Sequence, residues 1–84
     1  MIDAAQIRAA RALLDISQTD LSKFASVSVA TIKRVEAATG VRGAAESLWK
    51  IESALERLGV EFIPGDRQRG SGVRLRKPKR VMGK

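Results

Sequence analysis

Arginine and lysine are the most numerous side chains in this sequence that could bind a charged partner. There are 16 of them against nine aspartates and glutamates, which gives a formal net charge of +7. Residues 1–63 carry eight basic and eight acidic side chains, whereas residues 64–84 carry eight basic side chains and only Asp66. A neutral globule with a basic extension favours a polyanionic partner, most often nucleic acid. The alternative is a solvated tail that only keeps the protein soluble.

Other kinds of chemistry find little support in the composition. The 84 residues include no Cys and no His, which excludes disulfides, most zinc sites and imidazole-based catalysis. No paired carboxylates or nucleophile–base set stands out, so we expect neither an enzyme nor a cofactor. Asp3, Arg8 and Arg11 interrupt the apolar N-terminal residues, so we expect no signal peptide or membrane span and a cytoplasmic protein.

Residues 17–36, SQTDLSKFASVSVATIKRVE, have the pattern of two short helices joined by a tight corner. Ser17 and Asp20 have the spacing of a capping box at the start of the first helix. Leu21, Phe24 and Ala25 then fall on one face of that helix.

The second of these helices is predicted to begin at Ser28, which is placed to cap it. Ile32 and Val35 point one way, and the basic residues Lys33 and Arg34 lie on other faces. Two helices separated by a corner of three or four residues form a helix-turn-helix, whose second helix can enter a DNA major groove.

The stretch resembles the helix-turn-helix of the Cro and phage-repressor family, the XRE-type regulators, and the resemblance covers roughly residues 6–58. The matching positions are Ser17, Gln18, Leu21, Val27, Ser28, Thr31, Ile32 and Glu36. Two positions depart from the family pattern, which usually has Ala where this chain has Ser22 and Gly where it has Ser26. Ser26 must then accept a left-handed or similar backbone at a cost of ~1 kcal/mol.

The resemblance implies a fold that is mostly α. We expect a lambda-repressor-like domain of about four helices, followed by a short C-terminal β-hairpin or two-strand extension and a basic tail. The domain is assigned to residues 1–63 and the basic extension to residues 64–84.

The resemblance also assigns DNA-binding roles to side chains of the motif. Arg34 is the expected base reader, because a forked guanidinium matches guanine O6 and N7. Ser28, Thr31 and Lys33 are expected phosphate ligands, and Val29 and Ala30 can give only apolar contact, for instance with thymine methyls. The complete set of DNA-binding candidates is Gln18, Ser28, Val29, Ala30, Thr31, Lys33, Arg34 and Arg42.

Arg11 and Glu36 occupy the family positions at which a first-helix Arg pairs with a Glu that closes the second motif helix. The pair would be structural, because it would clamp the motif onto the first helix. Removing one partner of a mostly buried pair leaves a stranded charge. The alternative is that both side chains simply face solvent.

Outside the motif, the pattern predicts a first helix over residues 3–14, a loop over residues 39–43 and a last helix over residues 44–58 that ends at Gly59. Arg42 in the loop is placed either to touch phosphate or to be an ordinary surface residue. The last helix is expected to pack on the first through its leucines and isoleucine. Trp49 is expected either to cover the core edge or to lie at a subunit contact.

Residues 60–63 and 72–76 alternate like strands, and turn-forming residues lie between them. A hairpin within the domain is the simplest arrangement, and pairing between subunits is the alternative. Residues 77–84 are expected to be disordered without DNA.

One recognition helix reads only a few base pairs, so the resemblance implies a homodimer on an inverted repeat in double-stranded DNA, with recognition helices ~34 Å apart. Repression is the expected mode, because it needs only occupancy of a promoter. The competing hypothesis is a protein-binding antiactivator or antitoxin that sequesters another regulator. Salt separates the two, because DNA affinity falls steeply with salt concentration.

Overall fold

The computed structural model describes residues 2–37 and 45–78. The described chain forms four helices and then two strands: α1 (Ala4–Leu14), α2 (Gln18–Ala25), α3 (Val29–Ala37), α4 (Ala45–Arg57), β1 (Val60–Ile63) and β2 (Gly72–Leu75). The predicted fold class of about four helices followed by a two-strand extension is confirmed, whereas the predicted basic tail stays a prediction. The predicted ends of α4 and β2 are each one residue too far, because Leu58 lies in the turn after α4 and Arg76 in a bend after β2. The predicted loop over residues 39–43, the start of α4 at Ala44 and the chain end at residues 79–84 lie outside the described residues.

Two capping boxes set where the first helices begin. The Ser17 hydroxyl accepts the Asp20 N–H at 2.9 Å, and the Asp20 carboxylate accepts the Ser17 N–H at 3.0 Å. These bonds to Ser17 hold the pKa of the exposed Asp20 carboxyl below its usual range. Asp3 and Gln6 make the same reciprocal pair at the start of α1. Because such caps satisfy N–H groups that have no intrahelical partner, they place the start of each helix from local sequence alone.

The core lies where all four helices and the hairpin meet. Its largest fully buried side chains are Ile7, Leu21, Ile32, Ile51, Leu55 and Val60. The expected packing of α4 on α1 is present, but it is the smaller contact, and α4 has a larger one with α2. β2 also packs against α1.

The hairpin closes on the domain within one chain. β1 and β2 are antiparallel, with Val60 opposite Leu75 and Phe62 opposite Val73. Gln6 is buried, and its side-chain amide donates to the Ile63 and Gly72 carbonyls at 3.3 and 2.9 Å. One side chain of α1 therefore bridges both strands and ties the hairpin to the helical domain.

The corner between α2 and α3 depends on Ser26, which has a left-handed backbone (φ 58°, ψ 42°). The Val27 N–H donates across the corner to the Ser22 carbonyl at 3.1 Å. Ser22, the other departure from the family pattern, is buried, and its hydroxyl donates to the Thr19 carbonyl at 2.7 Å. Ser26 therefore adopts a strained backbone conformation. Ser22 is buried with its hydroxyl hydrogen-bonded.

Ser26→Gly should raise the free energy of unfolding by about 0.5–1 kcal/mol, because glycine adopts the left-handed region without a steric penalty. The measurement is urea denaturation followed by circular dichroism. Ser47→Gly makes the same chemical change at a helical position of α4, and it should instead lower stability by about 0.5 kcal/mol. Equal effects at both positions would show that the corner is not strained.

Candidate nucleic-acid interface

Helix α3 has one face in the core and another in solvent. Ile32, Val35 and Glu36 are buried, whereas Lys33 and Arg34 are exposed. No hydrogen bond or ion pair joins either basic side chain to the rest of the described chain. Both cations are therefore presented outward on a short, rigid helix.

The N-terminal end of α3 is organised by Ser28 and Thr31. The Ser28 hydroxyl accepts the Thr31 N–H at 3.0 Å and lies 2.9 Å from the Thr31 hydroxyl. The other N–H groups of the first turn lack partners within the helix, as at any helix start, and favour a nearby anion. Ser28 is exposed and Thr31 is half-buried, so both hydroxyls border this end of the helix.

Val29 and Ala30 give the same end of α3 an apolar character. Ala30 is exposed and Val29 is half-buried. The outer surface of α3 therefore has small apolar groups in its first turn and the two cations Lys33 and Arg34 closer to its C-terminal end.

The buried carboxylate of Glu36 holds α3 in place. Arg11 binds it with two nitrogens, Nε to Oε2 at 2.7 Å and Nη2 to Oε1 at 2.9 Å. The Gln18 side-chain amide donates to the same Oε1 at 3.2 Å. Arg11 also donates to the Ile16 carbonyl at 3.1 Å. One acid on α3 is therefore joined to α1 and α2.

Glu36 also shifts the pKa of its partner. The hydrogen bond from Arg11 to Glu36, reinforced by their Coulomb attraction, raises the pKa of Arg11 against the opposing effect of burial. A guanidinium is protonated with or without this shift, and its forked shape gives the pair a defined geometry.

The structure brings seven of the eight DNA-binding candidates to one region, α3 and the adjoining start of α2, and Arg42 lies outside the described residues. Gln18 is half-buried and its amide donates to the Glu36 carboxylate, which its sequence position does not indicate.

The sequence analysis missed Arg8, whose guanidinium donates to the Glu36 backbone carbonyl near the end of α3. The available signal was its spacing of three residues from Arg11, which puts both guanidinium groups on one side of α1.

Residues 7–62 match the family model described as helix-turn-helix, of the Cro and phage-repressor (XRE) type, which is more than half of the chain. The chain therefore belongs to this family. It is a DNA-binding transcription regulator of the XRE type, and the fold is one that is generally non-enzymatic. A search among curated proteins finds no significant match.

Two further features concern other kinds of site. Within residues 2–37 and 45–78, no group of acidic side chains is arranged to hold a metal ion. In the same part of the chain, no helix is both long enough and apolar enough to cross a membrane.

Arg11→Met should lower the free energy of unfolding by about 3 kcal/mol, because it leaves the Glu36 carboxylate buried without its cation. Adding Glu36→Met removes the stranded charge, so the double variant should lose less stability than the two single variants together. Urea denaturation of the parent protein, the two single variants and the double variant gives the coupling energy.

The control is Arg74→Met, which breaks the exposed ion pair with Glu61 on the hairpin, where Nε and Oε1 are 3.0 Å apart. Exposed pairs contribute little, so this variant should denature almost as the parent protein does. If Arg11→Met behaved like Arg74→Met, Glu36 would not hold the motif to α1.

Proposed function

We propose that the protein is a repressor that binds an inverted-repeat operator in double-stranded DNA as a homodimer. The observation that carries the proposal is the solvent-facing side of α3, where Lys33 and Arg34 project while the opposite side is buried in the core and held by the Glu36 carboxylate. A helix fixed in this way loses little conformational freedom on binding, which favours affinity. The proposal locates the protein in the cytoplasm, with the DNA.

Contacts to DNA divide into those that position the protein on the backbone and those that read bases. Arg34 is assigned to base reading, because its guanidinium can donate two parallel hydrogen bonds to one guanine. Lys33, Ser28 and Thr31 are assigned to phosphates. Val29 and Ala30 are assigned to apolar contact with thymine methyls.

Gln18 and Arg42 complete the proposed set. Only one N–H of the Gln18 amide is needed for the Glu36 carboxylate, so the second N–H can reach a phosphate without disrupting that contact. Gln18 would then contact both a DNA phosphate and the Glu36 carboxylate, which Arg11 also binds. Arg42 is proposed as a phosphate ligand from its place in the family pattern.

Two copies are proposed because a single α3 reads only a few base pairs. Related motifs place their recognition helices in successive major grooves, ~34 Å apart, and their operators share the two-fold symmetry of the protein. Repression then follows from occupancy, because a protein covering a promoter excludes other proteins from it.

The test is selection of binding sites from random duplex DNA at two salt concentrations. A palindromic consensus whose affinity falls steeply with salt supports the proposal. Failure to enrich any sequence, together with protein partners that bind equally well at high salt, would favour sequestration of another regulator instead.

Arg34→Ala should weaken operator binding by roughly tenfold and relax the preference at one base step, at a cost of ~1–3 kcal/mol for that base pair. Lys33→Ala, at the neighbouring exposed position, is the matched control. It should weaken binding to all sequences alike and reduce the salt slope by about one. Fluorescence anisotropy with the selected site and with single-base variants measures both effects. An unchanged base preference in Arg34→Ala would remove that residue from base reading.

Ending the chain after Arg76 should lower affinity for every duplex sequence and reduce the salt slope, because four basic residues of the extension are removed. This cut keeps the hydrogen bond from Arg76 to the Glu56 carbonyl, so the hairpin end remains attached. A full-length variant with Gln at Lys77, Lys79, Arg80 and Lys84 separates charge from length. Parent-like binding by both proteins would show that the extension makes no DNA contact.

A further inference from the structure

A groove of about 380 Å³ lies where the helical domain meets the hairpin. Its lining residues come from the end of α1, the end of α4 with the turn after it, and the end of β2 with the bend after it. None of them belongs to α2 or α3, so the groove is separate from the candidate residues on those two helices. We name it the leucine groove, after the three leucines that line it.

The apolar lining of the leucine groove consists of Leu14, Leu58 and Leu75. All three are half-buried, so part of each side chain is in contact with water. Leu14 and Leu75 also pack against the buried core, which fixes their positions. Gly59 lines the groove without a side chain, and a Cβ built there would meet no atom within 4 Å. A hydrocarbon chain that covered this lining would remove apolar surface from water, which is favourable.

Three exposed cations, Arg57, Arg76 and Lys77, form the rest of the lining. Arg57 donates to the Phe24 carbonyl at 3.1 Å, and Arg76 donates to the Glu56 carbonyl at 2.8 Å. These bonds hold each guanidinium in place. They do not balance its charge, because a backbone carbonyl is neutral.

Acidic side chains near the leucine groove do not cancel these charges. Asp15 and Glu56 are neighbours of lining residues in the sequence, but both are exposed and neither lines the groove. The Glu61 carboxylate is bound by Arg74, and this hydrogen bond lowers the pKa of Glu61 more than the charge of Arg76 does. Among the described residues, the groove is therefore lined by cations and by no acid.

We propose that the leucine groove binds a small amphiphilic carboxylate, an unbranched fatty acid of medium chain length. Its hydrocarbon chain would lie against the three leucines, and its carboxylate would bind the cations. This site goes beyond the proposed function, because it involves neither α3 nor DNA.

Charge and size together favour this ligand. A carboxylate supplies the acid that the lining lacks, and a guanidinium can bind both of its oxygens. The volume lies near the lower end of the range for small-molecule sites, about 300–1,000 Å³, which suits a single chain. A neutral ligand would leave the cations unbalanced, and a small inorganic anion would leave the leucines in water.

A ligand in the leucine groove would contact α1, the turn after α4 and β2 at once. These elements have this arrangement only in the folded protein. Because a ligand that binds only the folded state stabilises it by mass action, occupancy should raise the temperature of thermal unfolding.

Titration of the full chain with sodium octanoate tests the site. The methyl resonances of Leu14, Leu58 and Leu75 should shift with a roughly millimolar dissociation constant, and the unfolding temperature should rise. Octanol, which has the chain without the charge, should bind about fivefold more weakly, because exposed charge pairs contribute modestly. Inorganic phosphate, which has the charge without the chain, should leave the three leucine resonances in place.

Lys77→Glu reverses a charge at the border of the leucine groove. It should weaken octanoate binding about fivefold and leave octanol binding unchanged. Lys23→Glu makes the same change at an exposed position of α2, outside the groove, and is the matched control with parent-like binding. Leu58→Gln should weaken binding of both octanoate and octanol, because it removes apolar lining that both chains use. Circular dichroism checks that each variant is folded, and the Lys77 variant tests the site even if the Leu58 variant does not fold.

Equal affinity for octanoate and octanol, or equal octanoate binding by Lys77→Glu and Lys23→Glu, would overturn the assignment of a carboxylate. Leucine shifts with phosphate as large as those with octanoate would show a basic surface for phosphates, including those of DNA. Leucine resonances that stay in place with octanoate would overturn the site, whether water or a second copy of the chain occupies it. All of these measurements are made without DNA, so they stand or fall separately from the proposed function of α3.

Discussion

The buried carboxylate of Glu36 is the constraint on which the helix-turn-helix depends. A charge removed from water is tolerated only when hydrogen bonds and an opposite charge replace hydration. Arg11 supplies the charge, and Gln18 adds a third hydrogen bond. Since these residues lie on three different helices, the carboxylate is satisfied only when α1, α2 and α3 have their native arrangement. The pair thus fixes the orientation of α3 relative to α1 and α2.

The two corners that join α1 to α2 and α2 to α3 each contain one residue with a left-handed backbone. Asp15 after α1 and Ser26 after α2 both have left-handed backbones, with φ of 57° and 58°. Each reverses or turns the chain in few residues, which keeps three short helices close enough to share one core. Helices of eight to eleven residues are marginal in isolation, so their stability comes from this packing.

The domain separates its solvent-facing surfaces by chemistry. The exposed side of α3 carries small apolar groups and two cations, whereas the exposed aromatic residues Phe24 and Trp49 border a groove between α2 and α4. Both rest on the same core, because Ile32 of α3, Leu21 of α2 and Leu55 of α4 are all fully buried.

The sequence by itself determined the features that depend on neighbours a few residues apart. Local hydrogen bonding and helical periodicity account for the capping box at Ser17, the positive-φ glycine in the turn after α4 and the two faces of α3. Resemblance to the family added the pairing of Arg11 with Glu36. Tertiary structure alone decided that α4 packs chiefly on α2, that Gln6 bridges both strands and that Trp49 faces solvent. These outcomes depend on contacts between residues that are far apart in the chain. Such contacts form only when the core packs, so no local pattern in the sequence predicts them.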